Sequence, residues 1–263
     1  MTFKKLVWAL KRHPFLYRTR FKLLSRYSTE AKIEEKCYNT LNKKKDLPEL
    51  FHQTNLLIFP DGRPDSDWDT VCAITSWMIR NIKGGSGLSI SSAEALVKMM
   101  NGEGGVCSDK VQVFNNFCVV NDLKVREWGS TRIPFNKNFG GHSFNEVYCK
   151  ELNKWVFIDV SYGLYFSLEN QLLSVLELSS NIKAGNTVEL MFVDDSLHIK
   201  ERIINRIYYH EDTTPFLICN YSNRLYDWFL KRLTPILPVF VIHFLIFLIG
   251  RSYYYLFLTQ EYD

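Results

Sequence analysis

Three residues constrain this chain more than any others, because each stands where local sequence gives it a reason to react. Cys107 follows Gly104-Gly105-Val106 and opens a helical stretch, His142 follows Gly140-Gly141 and begins a strand, and Asp159 closes a strand that starts at Trp155. A thiol at a helix start with a base and an acid on neighbouring strands requires a fold in which a helix end meets a sheet. The order reads as nucleophile, base and orienting group.

The flanking sequence supports that arrangement. After Asp67, apolar residues at Val71, Ile74, Trp77 or Met78 and Ile82 recur at helical spacing until Gly84-Gly85. Ser91 or Ser92 can cap a short helix over residues 93–100, with Glu94 in its first turn. Beyond the glycine turn at 102–105, Cys107 leads a helix with Val111, Phe114 and Cys118 on one face. Strands are expected at 125–133, 142–149 and 155–160, with the polar run 150–154 joining the last two into a hairpin, and at 188–193 and 203–209. Residues 30–67 read as an irregular lead-in. Helices and strands segregate, so the expected class is α+β, with helices packed on an antiparallel sheet.

The chemistry needs these residue types. A cysteine attacks as its thiolate, and a free thiol needs positive potential nearby to ionise at neutral pH. A helix N-terminus supplies some of it, and the first-turn amide of Cys107 is free to donate to a developing oxyanion. Taken alone, Cys107 could be a small core residue and His142 a structural one. The hairpin changes the balance, because period-two alternation puts Asp159 in the otherwise aromatic row of Trp155 and Phe157, where an acid needs a partner. A metal site built from Cys107, His142 and Cys149 lacks ligand spacing, so no metal or other cofactor is expected.

Residues 105–109 (Gly-Val-Cys-Ser-Asp), 142–148 (His-Ser-Phe-Asn-Glu-Val-Tyr) and 155–163 (Trp-Val-Phe-Ile-Asp-Val-Ser-Tyr-Gly) resemble, in order, the three core motifs of the transglutaminase-like superfamily of papain-type cysteine enzymes. The resemblance spans about residues 68–166. It implies a transglutaminase-like core in which Cys107 is the nucleophile, His142 the base and Asp159 the orienting acid. Phe144 stands where the family usually has Trp, and Asp159-Val160-Ser161 where it commonly has Asp-Pro-Thr, and neither departure removes a catalytic atom. For a second oxyanion donor, which family members take from an upstream aromatic or amide side chain, Trp77 and Asn101 are the candidates, although Trp77 also fits the core face of its helix. The reaction implied is attack on an amide bond of a protein or peptide through an acyl-thioester, resolved by water or an amine. The alternative is a catalytically inactive, membrane-associated scaffold or binding protein on the same fold.

The rest of the chain divides into a basic amphipathic N-terminal segment (1–45), the catalytic domain (46–232) and a hydrophobic segment (233–258). Eight cations, Lys4, Lys5, Lys11, Arg12, Arg18, Arg20, Lys22 and Arg26, precede the first acid, Glu30, so the remainder of a chain with net charge +4 is acidic. The basic character is therefore local, and no motif supports nucleic acid as a partner. Residues 233–258 have the length of a membrane-inserted C-terminal helix, with Pro235, Pro238, His243 and Arg251 opposing an easy span. Arg224, Lys231 and Arg232 before the segment place the domain on the cytoplasmic side of a membrane, and residues 1–27 can add a second lipid contact. The six cysteines show no paired spacing and read as reduced thiols.

Overall fold

A computed structural model of the chain describes residues 14–134, 136, 139 and 141–259. Residues 1–13, the most apolar part of the expected N-terminal segment, lie outside the described residues, as do residues 260–263. The helices are α1 (Pro14–Leu24), α2 (Glu30–Glu34), α3 (Glu49–Ile58), α4 (Asp67–Asn81), α5 (Ser92–Met100), α6 (Cys107–Val120), α7 (Val175–Lys183), α8 (Glu201–Ile204), α9 (Asn223–Leu233) and α10 (Val239–Leu248). The strands are β1 (Ser25–Ser28), β2 (Lys124–Arg132), β3 (His142–Cys149), β4 (Lys154–Ile158), β5 (Leu164–Leu168), β6 (Gln171–Leu172), β7 (Glu189–Phe192), β8 (Thr213–Cys219) and β9 (Tyr254–Leu258).

A six-stranded sheet of order β1-β9-β8-β2-β3-β4 carries the molecule. Its pairings are antiparallel except that of β1 with β9, which is parallel, so the sheet is mixed rather than antiparallel throughout. A smaller sheet of order β6-β5-β7 lies beside it. Alternation splits the large sheet's apolar residues between two cores. On one face Val125, Val147 and Ile158 pack with Val111, Phe114 and Phe117 of α6 and with Phe51, Ile74 and Leu96 of the helices around it. On the other, Trp128, Phe144 and Phe157 pack with Phe166, Leu178, Ile207 and Tyr208.

The helix starts follow ordinary capping chemistry. Ser66 Oγ accepts from the Asp69 amide at 3.1 Å ahead of α4, and Ser174 and Glu177 exchange reciprocal bonds at the start of α7. On the face of the second core Arg126 and Glu146 form a buried pair at 3.0 Å, and the second oxygen of Glu146 accepts the Val175 amide at 2.8 Å. That bond ties α7 to the sheet.

Three expectations need correction. Residues 30–67 are not an irregular lead-in: α3 packs on α6, with Phe51 edge-on to Phe117 at 5.3 Å. Residues 203–209 are not a strand. They end α8 and continue in wider, π-type turns over Asn205–Tyr209, because Ile203, Ile204, Ile207 and Tyr208 repeat at helical spacing, and a short apolar run does not separate helix from strand. Residues 233–258 are not a single membrane-inserted helix. They comprise the end of α9, a turn, the ten-residue α10 and then β9, which enters the large sheet between β8 and β1. No helix among the described residues is long and apolar enough to cross a membrane. The high hydropathy of Tyr254–Leu258 reflects an interior strand, with Leu256 and Phe257 buried.

Candidate active site

The glycine turn ahead of α6 is fixed by backbone pairing. Gly85 N–H donates to Gly105 O, and Gly105 N–H donates to Ser86 O, each at 2.8 Å. Gly105 has φ +109°, and a Cβ there would lie 2.5 Å from Met99 Sδ, so left-handed backbone and close packing both demand glycine. Asp109, in the first helical turn, accepts from the Val106 amide at 2.9 Å and from the Leu88 amide at 3.2 Å. The result is a rigid launch point for Cys107, the first residue of α6, whose own amide has no partner within the helix.

The Cys107 thiol is half-buried and within hydrogen-bonding reach of the His142 ring and of the Ser143 backbone. His142 Nε2 faces Asp159 Oδ2 at 2.5 Å, which leaves Nδ1 for the thiol. Asp159 is fully buried and accepts two further bonds, from the Ser161 amide to Oδ1 at 2.8 Å and from the Tyr208 hydroxyl to Oδ2. Tyr162 stacks on the His142 ring at 5.6 Å, and Tyr208 stands edge-on to it at 6.3 Å. A carboxylate with three donors and an imidazole held between aromatic rings have little freedom to reorient.

The electrostatics follow. Burial opposes ionisation of Cys107, yet the His142 hydrogen bond, the His142 charge and the Ser143 amide together outweigh it, and the thiol is more acidic than usual. Burial likewise disfavours charge on His142, but Asp159, by charge and hydrogen bond, and Cys107 carry it up to about 10. Both shifts favour thiolate beside imidazolium. Four other cysteines move the opposite way: burial pushes Cys72 up to about 12 and Cys219 up to about 11, and raises Cys118 and Cys149 well above the ordinary range.

The structure brings Cys107, His142 and Asp159 together and engages the oxyanion candidates in other contacts. Trp77 packs edge-on to Phe117 at 5.8 Å, and Phe117 is about 15 Å along α6 from Cys107 at 1.5 Å per residue. Asn101 is exposed and gives its amide to Glu103 at 3.1 Å. Three neighbours escape a reading of the sequence. Tyr208 lies 49 residues from Asp159 on a segment that reads as a strand. Tyr162 lies within the third motif but carries no reactive signature. Lys110, one turn beyond Cys107, feels both Cys107 and Asp159; burial lowers its pKa more than those two groups raise it. The i, i+3 spacing of Cys107 and Lys110 was the one available sign. Among the described residues there is no cluster of His, Cys, Asp and Glu fit to hold a metal ion.

No family model matches the chain, and no curated protein matches it. Among solved structures it is similar to a candidate cysteine protease from Cytophaga hutchinsonii, at 21% identity and a TM-score of 0.33, over 42% of this chain. The match spans 37% of that protein, little more than a third. At that level of similarity the reading of this site rests on its own geometry.

Proposed function

We propose that the chain is a cysteine-dependent enzyme of the transglutaminase-like type, acting on amide bonds of a protein or peptide. The observation that carries the reading is the contrast among its thiols: Cys107 is made more acidic by a histidine that a buried carboxylate orients, while burial raises Cys72, Cys118, Cys149 and Cys219.

In the proposed reaction the Cys107 thiolate attacks the amide carbonyl carbon, and the carbonyl electron pair moves to oxygen, where the Cys107 amide donates to it. Collapse breaks the C–N bond. The His142 imidazolium gives its Nδ1 proton to the departing amine, leaving an acyl-thioester and neutral imidazole. Water or a second amine then attacks the thioester, His142 takes the proton released, and the thiolate leaves as the acid or new amide forms. Asp159 holds the ring's tautomer and plane throughout and stabilises its charged form. Tyr208 and the Ser161 amide position Asp159.

Two measurements test this together. Trace iodoacetamide labelling, read by mass spectrometry, should favour Cys107 over the buried thiols and set in at lower pH there than at those thiols, because its pKa is lowered where theirs are raised. Incubation with a peptide library and hydroxylamine should release hydroxamates, the products of intercepting an acyl-thioester, and Cys107→Ala should abolish them. Selective labelling without hydroxamates would leave a reactive thiol on a scaffold. Labelling spread over all six cysteines would remove the enzyme reading altogether.

A further inference from the structure

α10 reads Val-Phe-Val-Ile-His-Phe-Leu-Ile-Phe-Leu and buries only Ile242 and Ile246, one turn apart, against Tyr226 and Leu230 of α9. The opposite face points outward. Phe244 is 56% exposed, Leu248 61%, Ile249 55% and, in the preceding turn, Ile236 76%, with Phe240 and Phe247 also exposed. A helix that is apolar all round belongs in a core or in lipid, and contiguous exposed apolar surface of this kind marks an interaction site.

Charge says what covers it. From residue 228 to residue 260 the chain carries no Asp or Glu, whereas Lys231, Arg232 and Arg251 are exposed on either side of α10. The acid that precedes this stretch, Asp227, is buried and accepts from Ser92 and Asn223. Trp228, 49% exposed, lies under the Arg232 guanidinium at 4.9 Å, an aromatic and cationic pair suited to the headgroup level. Length settles the mode. Ten residues make a helix about 15 Å long, half of a hydrocarbon layer about 30 Å thick, so α10 reaches too short a distance to span.

We propose that the outer face of α10, rimmed by Lys231, Arg232 and Arg251, is a docking surface that lies in the plane of an anionic membrane and inserts its phenylalanines among the acyl chains. This surface is independent of the catalytic reading, and its occupant is lipid rather than a second protein. Both the apolar face and the cationic rim contribute, so binding responds to each.

Flotation of the full-length protein with phosphatidylcholine vesicles, with and without phosphatidylserine, tests it. The protein should float with the phosphatidylserine vesicles, and raised salt should weaken binding. Phe244→Asp with Leu248→Asp should reduce binding more than about tenfold, and Lys231→Ala and Arg232→Ala about fivefold for each charge removed. All four positions are exposed, and Ile236→Asp provides a second apolar variant should the double variant fold poorly. Circular dichroism and Cys107 labelling report folding of each variant. Absence of vesicle binding by the full chain overturns the proposal, as does binding indifferent to both apolar variants. A concentration-dependent dimer in sedimentation that Phe244→Asp dissolves, without flotation, would assign the face to a second copy of this chain.

Discussion

Cys107 and Cys118 belong to one helix, three turns apart, and their thiols behave in opposite ways. Cys118 is wholly buried among apolar side chains, and burial raises its pKa well above the ordinary range. Cys107 also feels burial, as the largest single influence on it, yet its pKa falls because His142 and the Ser143 amide stand opposite. Helix position alone does not account for the difference, since the two residues that lower the Cys107 pKa, His142 and Ser143, both belong to β3. What separates an inert thiol from a nucleophile here is the strand that meets the helix end.

The largest test of that contrast removes the partner. In His142→Ala only the Ser143 amide still opposes burial at Cys107, so the pH profile of its iodoacetamide labelling should move upward and the rate at neutral pH fall towards that of the other thiols. An unchanged profile would break the comparison. At the quiet end, Cys118→Ser puts a hydroxyl into the apolar core and should cost about 1–3 kcal/mol in urea unfolding, with Cys107 labelling unchanged.

Between the two ends lies Glu127, buried under α6, accepting from Asn115 at 3.2 Å and from Gln112, its carboxyl raised by burial to about 8 from an ordinary 4.5. The folded chain therefore holds this proton between about pH 4.5 and pH 8 while the unfolded chain releases it, so the contribution of Glu127 to stability declines as pH rises through that window. Glu127→Gln should remove the decline, gaining at least about 1 kcal/mol over the natural chain when unfolding at pH 8 is compared with pH 5. The smallest effect is expected from Tyr208→Phe, which deletes one of the three bonds to Asp159 and keeps the ring against Phe157 and Phe166. Loss of about 1 kcal/mol of support for the charged ring should slow labelling several-fold and lower the His142 pKa by nuclear magnetic resonance. A loss as large as that of His142→Ala would make Tyr208 part of the machinery rather than a positioning residue.

The site was legible where its causes are local. A glycine turn before Cys107, a strand beginning at His142 and an acid just past the aromatic row of β4 each announce themselves within a few residues. Tyr208 did not, because its role depends on a contact 49 residues away and its segment carries a short apolar run of ambiguous period. The C-terminal stretch misled for a related reason. Hydropathy measures the desire to leave water, and a strand interior to a sheet, a helix on a surface and a membrane span share it. Pro238 ahead of α10 and Gly250 after it, with φ +70°, mark where the stretch breaks, and the break outweighs the average. The sheet order was beyond reach, since β9 pairs with β8 on one side and β1 on the other across long separations.

That last pairing bears on how the protein is made. Ser25 aligns with Tyr255, about 230 residues later, so β1 leaves the ribosome long before the strand that receives it exists. Early in synthesis Phe21 and Tyr27, whose rings end against Phe257, have nothing native to rest on, and aromatic surface stays open to chaperones or to misassembly until translation is almost complete. Premature termination even a few codons short of β9 would therefore leave both ends of the sheet's edge unmade at once.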